Sequence, residues 1–169
     1  MRLVLLADTH VPARARDLPP VVWAAVDAAD VVVHAGDWIS EELYAALASR
    51  AAQLVGSAGN NDSAALTRLL PTVATVELDG VRLGVVHQTG PATGREARCD
   101  RDHPGLDVLV FGHSHIPWDS RTPAGMRLLN PGSPTDRRRQ PFATFMTARA
   151  RDGALHDVEP PGRVDPSWR

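Results

Sequence analysis

The chain has 169 residues, of which 43% are hydrophobic and 22% charged, with a formal net charge of −2. These values fit one globular domain and exclude a broad positive surface for nucleic acid or anionic membranes. Cys99 is the only cysteine, which excludes an internal disulfide and a cysteine-rich zinc site. The apolar run at residues 3–7 is too short for a signal peptide or a membrane span, so we expect a cytoplasmic protein that does not enter a membrane.

The first seventy residues predict alternating strands and helices. Continuous apolar runs predict buried strands at residues 3–7 and 31–34, and a short strand is predicted at 53–55. Helices are predicted in the intervals that follow each strand, and their ends carry the usual signals: prolines before the first, Ser40 as the N-cap of the second and Pro71 after the third. The predicted helices cover residues 21–26, 40–50 and 63–70.

The rest of the chain is richer in strands. Asp79 and Gly80 predict a tight turn between strands at 72–78 and 81–87. Residues 88–105 are predicted to form a loop with at most a short helix. The later strands are expected at 107–111, 118–121, 126–129, 142–148 and 154–159. This order predicts an α/β fold (α+β by some schemes) with two packed mixed β-sheets flanked by helices. We expect one domain over 1–159 and a flexible tail over 160–169.

Five short polar motifs carry the candidate chemistry, and most of them directly follow an apolar run. Together they supply two aspartates, one asparagine and four histidines. They are Asp8-Thr9-His10, Gly36-Asp37, Gly59-Asn60, His87 and Gly112-His113-Ser114-His115. Oxygen and imidazole donors without a thiolate suit Mn, Fe, Zn, Ni or Co rather than calcium. The inventory therefore predicts a site for two divalent metal ions.

Most of these motifs also have an ordinary structural explanation when taken alone. An Asp or Asn after glycine commonly forms a turn or caps a helix, and a single histidine at a strand end is often a hydrogen-bonded core residue. The pair His113 and His115 is the strongest signal. Two histidines beside an apolar strand need polar partners, and a metal would satisfy both.

The ordered set of motifs resembles the calcineurin-like metallophosphoesterases, and more narrowly their small bacterial and archaeal phosphodiesterase branch. The sequence Asn-Pro-Gly-Ser at residues 130–133 also resembles that branch, and the similarity covers residues 3 to about 139. The resemblance implies an αββα sandwich of two β-sheets with helices outside. It also implies two ligand groups bridged by Asp37: Asp8, His10 and His115 for one ion, and Asn60, His87 and His113 for the other.

The resemblance further implies a phosphodiesterase that binds two divalent ions, most often manganese, and uses a hydroxide bridging the metals as its nucleophile. Two ions ~3.5–4 Å apart can clamp a phosphoryl group and acidify the attacking water. Asp37, Asn60 and His87 are the expected catalytic residues, and the expected partner is a small phosphodiester. The sequence leaves open whether the chain forms a homo-oligomer.

Two positions depart from the family pattern. Many members carry a histidine directly after the metal-binding asparagine, where this chain has Asn61, and a glycine after the next histidine ligand, where it has Gln88. An amide cannot donate a proton as an imidazolium does, so Asn61 favours diesters with good leaving groups. The alternatives are a phosphomonoesterase and a non-catalytic protein-interaction scaffold with the same fold. Retention of all seven donors favours an enzyme.

Three other features of the sequence are candidates for roles around the metal site. His34, three residues before Asp37, is expected either to orient a ligand or to form an ordinary buried hydrogen bond. Trp38 is expected to pack rather than to cover the site. The basic run at 137–139 is expected to be a solvated loop, and under the resemblance its arginines are candidates for contacting a substrate phosphate.

Overall fold

The computed structural model describes residues 1–159 and 162–165. Two β-sheets pack face to face with helices on their outer surfaces, which confirms the predicted architecture. The strands are β1 (Arg2–Leu6), β2 (Val31–Ala35), β3 (Leu54–Ser57), β4 (Val73–Leu78), β5 (Val81–Val86), β6 (Val108–Val110), β7 (Trp118–Arg121), β8 (Arg127–Asn130), β9 (Ala143–Arg151), β10 (Ala154–His156) and β11 (Gly162–Val164). The helices are α1 (Pro20–Ala28), α2 (Glu41–Arg50), α3 (Ala64–Leu69) and α4 (Arg95–Asp102).

Each sheet combines three adjacent parallel strands with antiparallel strands, on one side of the parallel set in the first sheet and on both sides in the second. The first sheet has the order β10-β9-β1-β2-β3, with β11 also paired to β9, and its strands β1, β2 and β3 are parallel. The second has the order β4-β5-β6-β8-β7, with β5, β6 and β8 parallel. Parallel strands end at the same edge of a sheet, so the loops that follow them lie close together.

Side chains of β1 and β2 point alternately into two cores, which explains why these strands are apolar without interruption. Leu5 and Val33 lie between the two sheets. Leu6 and Val32 face the outside, where they pack with residues of α1 and α2. On the outer face of the second sheet, Cys99 of α4 packs in a third apolar cluster.

The local signals of the sequence act as expected at most element ends. Ser40 and Ser63 accept hydrogen bonds from backbone amides in the first turns of α2 and α3. Asp79 and Gly80 both have positive φ angles, as a primed hairpin turn requires. The interval 88–105 contains the single short helix α4. None of the helices in the described part is long and apolar enough to cross a membrane.

The C-terminal segment differs from the prediction of a flexible tail. Residues 162–164 form β11 and pair antiparallel with β9 through Phe145, Thr144 and Ala143. The free edge of β9 supplies backbone partners that composition alone does not reveal. The other tail residues, 160, 161 and 166–169, lie outside the described residues.

The core between the sheets makes a direct stability prediction. Leu83 is completely buried there, so Leu83→Ala should lower the free energy of unfolding by about 2–5 kcal/mol because it leaves a cavity. Leu69→Ala, at a side chain that is 58% exposed, is the matched control and should change it by less than about 0.5 kcal/mol. Urea denaturation measures both values; equal effects would contradict this packing.

Candidate metal centre

All seven predicted donors come from loops that follow the parallel strands of the two sheets. Asp8 and His10 follow β1, Asp37 follows β2 and Asn60 follows β3 in the first sheet; His87 follows β5, and His113 and His115 follow β6 in the second. Because the sheets pack face to face, both sets of loops meet at one end of the sandwich. The contacts among the donors divide them into two groups.

Asp37 lies between the two groups. Its Oδ2 is 3.5 Å from Nε2 of His10, and its Oδ1 is 3.4 Å from Nε2 of His87. The side chain is buried, with 1% of its surface exposed. Each carboxylate oxygen thus faces a histidine of a different group, which is the geometry required of a carboxylate that bridges two ions.

The first group contains Asp8, His10 and His115. Their donor atoms all lie within 4.8 Å of one another. Nε2 of His115 is 3.2 Å from Nε2 of His10 and 3.6 Å from Oδ1 of Asp8. All three side chains are buried, so their polar atoms have little access to water. Oδ2 of Asp8 accepts no hydrogen bond from the described residues.

The second group is centred on the amide oxygen of Asn60. This Oδ1 is 2.8 Å from Nε2 of His87 and 2.9 Å from Nδ1 of His113. Asp8 also lies close to the second group. One donor atom from each of Asp8, Asp37 and His87 forms another set whose members all lie within 4.8 Å of one another.

Hydrogen bonds on the far side of two imidazoles set their tautomers. Nδ1–H of His115 donates to the carbonyl of Asp136 at 2.6 Å, and Nδ1–H of His87 donates to the carbonyl of Ala35 at 2.8 Å. Each Nε2 therefore carries a lone pair directed into the site. At His87 this lone pair faces the amide oxygen of Asn60, another acceptor. Converging acceptors with no proton between them fit a cation, so the donor set fits a metal centre.

The backbone at these donors adopts an uncommon conformation. Five of the seven have positive φ angles: Asp8 (53°), His10 (47°), Asp37 (60°), His113 (70°) and His115 (58°). For residues other than glycine this conformation costs on the order of 1–3 kcal/mol each and persists only where the surrounding structure imposes it. Its concentration at the donors is typical of a functional site.

Two glycines permit the close approach of these loops. Gly36 has a φ of +81°, and a Cβ there would lie 2.7 Å from Nδ1 of His87. A Cβ on Gly59 would lie 2.1 Å from the backbone nitrogen of Asp37 and 2.3 Å from its Oδ1. Both distances are too short for non-bonded atoms. The Gly-Asp and Gly-Asn motifs thus bring the loops after β2 and β3 into direct contact.

Burial controls the ionisation of the site. It raises the pKa of Asp8 well above its ordinary value, and the negative charge of Asp37 raises it further. Burial also lowers the pKa of His10 and His113, and lowers that of His115 to about 4. The three histidines are therefore neutral at pH 7, the form that binds a metal.

The structure adds a residue whose role the sequence did not indicate. The backbone nitrogen of Asn61 donates to Oδ1 of Asp37 at 2.9 Å, and its side-chain Nδ2 donates to Oδ2 at 2.7 Å. Asn61 thus holds both oxygens of the central carboxylate. The sequence marked this position only by the absence of a histidine. At the other position that departs from the family pattern, Nε2 of Gln88 donates to the amide oxygen of Asn60 at 3.1 Å.

The remaining candidates lie around the site. His34 is fully buried, and its Nε2 is hydrogen bonded to Oγ1 of Thr9 at 3.0 Å, so it supports the loop between Asp8 and His10. Trp38 is buried and stacks on His34 with ring centroids 3.7 Å apart, which confirms that it packs. Ser133, from the segment 130–133, donates to the carbonyl of Asp8 at 2.7 Å.

Comparison with known proteins identifies the family. The model of the calcineurin-like phosphoesterase superfamily domain matches residues 1–153. The chain belongs to this superfamily. A probable metallophosphoesterase from Methanocaldococcus jannaschii is 34% identical over 140 residues, which cover 80% of this chain and 69% of that protein.

Solved structures show the same fold. Vps29 from Chaetomium thermophilum has a TM-score of 0.79 at 20% identity, over 92% of this chain and 85% of that one. Wild-type Vps29 from Entamoeba histolytica, solved in complex with Zn²⁺, has a TM-score of 0.76 at 24% identity, over 92% of this chain and 89% of that one. The chain therefore shares its two-sheet architecture with Vps29.

The buried carboxyl group of Asp8 predicts a conflict between stability and metal binding. Its folded-state pKa is raised, so it contributes stability at pH values below its unfolded pKa, and that contribution is lost as the pH rises through the folded pKa. In EDTA, Asp8→Asn should therefore melt at a higher temperature than wild type at pH 8, by at least about 2 °C, with a smaller difference at pH 4.

Thermal unfolding followed by circular dichroism at both pH values makes this comparison. Adding manganese should reverse the order at pH 8, because the variant lacks the carboxylate that we expect to bind metal. A metal-free variant that is less stable than wild type at pH 8 would show that the Asp8 carboxylate does not oppose folding.

Proposed function

We propose that the chain is a hydrolase of phosphodiesters that depends on two divalent metal ions, manganese being the first choice. The observation that carries this proposal is the placement of Asp37 between two groups of converging lone-pair donors. Asp8, His10 and His115 would hold one ion, Asn60, His87 and His113 the other, and Asp37 both. We expect the protein to act on a small phosphodiester in the cytoplasm.

The bound ions would supply Lewis-acid polarisation of the phosphoryl oxygens and a water acidified enough to attack phosphorus. In the reaction, a bond forms between phosphorus and the water oxygen while one ester P–O bond breaks. The products are a phosphomonoester and an alcohol, and the protons of the water are shared between them and the solvent.

The protein's own groups position the reactants. Asn61 fixes the orientation of the Asp37 carboxylate through two hydrogen bonds. The carbonyls of Ala35 and Asp136 keep the Nε2 lone pairs of His87 and His115 directed inward. Preorganised donors of this kind need no rearrangement when the substrate arrives, which is how such sites lower a barrier.

Arg138, in the basic run at 137–139, has an electrostatic influence on the candidate donors. Burial has the largest influence on the pKa values of four donors: it raises that of Asp8 and lowers those of His10, His113 and His115. The positive charge of Arg138 has a smaller influence and lowers the pKa of each of these four side chains. The Arg138 side chain is exposed. An exposed guanidinium whose charge reaches the donors suits a contact with a phosphate oxygen of the substrate.

Preference for a diester over a monoester rests on Asn61. Its amide hydrogens are directed at Asp37, and an amide does not give up a proton at neutral pH. The leaving alcohol then has no imidazolium at this position to protonate it. Esters whose alcohol leaves readily as an anion should therefore react fastest.

A scaffold without activity is the second candidate, because Vps29 proteins share this fold. The complete donor set and the acceptors that face each other at His87 and Asn60 favour the enzyme. A scaffold would purify with a larger partner protein and would not turn over a phosphodiester even with metal bound, as Zn²⁺ is in one Vps29 structure. The proposed enzyme would turn over a diester without a partner.

The decisive test is turnover of bis-p-nitrophenyl phosphate with added manganese, compared with p-nitrophenyl phosphate. We expect the diester to have the higher kcat/KM. Asp37→Ala should lower kcat/KM by at least about 100-fold and remove most of the bound metal, since both ions lose a shared ligand. Asp152→Ala, at a side chain that is 84% exposed, is the matched control and should leave both unchanged. Absence of turnover with every divalent metal would refute the proposed activity.

A further inference from the structure

A groove of about 320 Å³ opens beside the second group of donors. Asn60 and His87 belong to its lining and also to the candidate metal centre. The rest of the lining comes from the loop after β3, from α3, from residues around the start of β4 and the end of β5, and from the residue after α4. It includes Thr67, Thr72, Val73, Gln88 and His103. A substrate that reaches the metal centre therefore lies at the mouth of this groove.

The lining residues have a distinctive composition. None of those described is Asp, Glu, Lys or Arg. The groove offers hydroxyl groups from Thr67 and Thr72, amides from Asn60 and Gln88, and an apolar surface to which Val73 contributes a side chain that is 43% exposed. Beyond Asn60 and His87, which would face the metal ion, a charged group placed in this groove would lose water without gaining a carboxylate, ammonium or guanidinium partner. An uncharged group would lose less on leaving water.

The volume of the groove limits the size of the group that it can bind. At about 320 Å³ the groove is at the lower end of the range for small-molecule sites, roughly 300–1,000 Å³. It suits an aryl or sugar-sized group rather than a polymer. The exposed guanidinium of Arg138, in contrast, influences donors of both groups and is absent from this lining. The arginine proposed to contact the phosphate and the residues that line the groove are therefore different.

We propose that this groove binds one ester arm of the substrate and selects an uncharged alcohol, aromatic or polar, over a charged one. The inference rests on the proposed phosphodiesterase activity and adds the class of substrate: a diester with at least one uncharged organic arm of modest size. Val73 would be a specificity residue, because it is the exposed apolar side chain of the lining and is not one of the metal donors.

Symmetric diesters test the proposal, since the same arm then occupies the groove in either orientation. We would compare bis-p-nitrophenyl phosphate with bis-(4-carboxyphenyl) phosphate, whose arms are anionic. The measured quantity is the ratio of kcat/KM for the anionic diester to kcat/KM for the uncharged one. Comparing this ratio between a variant and the wild-type protein cancels the different reactivities of the two leaving groups.

Val73→Lys should raise the ratio by about tenfold, and Val73→Asp should lower it, because each changes the charge that an arm meets. The effect should appear mainly in KM. Val21→Lys, at an exposed valine of α1, is the control for a general change of net charge and should leave the ratio within twofold of wild type. Bound metal should be the same in all four proteins. A ratio that both Val73 variants leave unchanged would overturn the proposal.

A binding measurement separates this inference from the proposed activity. In protein with labelled valine methyl groups, diphenyl phosphate should shift the resonances of Val73 and Val86 at the groove and leave that of Val21 in place. If these shifts occur without turnover, binding of the ester arm in the groove is supported and the proposed phosphodiesterase activity is refuted. If neither methyl resonance at the groove shifts, the groove does not bind the ester arm, whatever the activity.

Discussion

The position of the Asp37 carboxylate is the constraint on which the rest of the site depends. One of its oxygens faces His10 and the other faces His87, so the two donor groups are connected through a single side chain. Asn61 holds both oxygens, and Gly59 leaves room for them because any larger residue would overlap Oδ1. The loops after β2 and β3 therefore fit together only in this arrangement.

The fold supplies this constraint at a cost in stability. Parallel strands in two facing sheets bring five loops to one end of the sandwich, and most of the donors there adopt positive φ angles. Burial raises the pKa of Asp8 and lowers that of His115 to about 4, so in the absence of a cation the buried carboxylate is unfavourable. The apolar cores on both faces of β1 and β2 offset these costs. Such a centre is stabilised by the ligand that it binds.

Much of this arrangement follows from the sequence. Uninterrupted apolar runs identified β1 and β2 as strands buried on both faces, and the polar residues directly after the strands predicted the seven candidate donors, which the structure brings together at one end of the sandwich. The resemblance to a known family indicated how to group them. These features are readable because they depend on the order of residues along one strand and its following loop.

The remaining features depend on contacts between distant segments. The hydrogen bonds from Asn61 to Asp37 join loops 24 residues apart, and the sequence showed only that a histidine was missing there. The groove is formed by α3, β4, β5 and the end of α4 together, so no single motif marks it. Pairing of β11 with β9 likewise requires knowledge of which strand edge is free. Periodicity and turn signals carry no information on such contacts.

The most direct test of a dinuclear centre shared by Asp37 is a crystal structure of the protein grown with manganese, using anomalous scattering to locate the ions. We expect two peaks, each with donor atoms at ~2.0–2.3 Å: one bound by Asp8, His10 and His115, the other by Asn60, His87 and His113, and both by Asp37. A single peak, or two peaks that do not share Asp37, would contradict it.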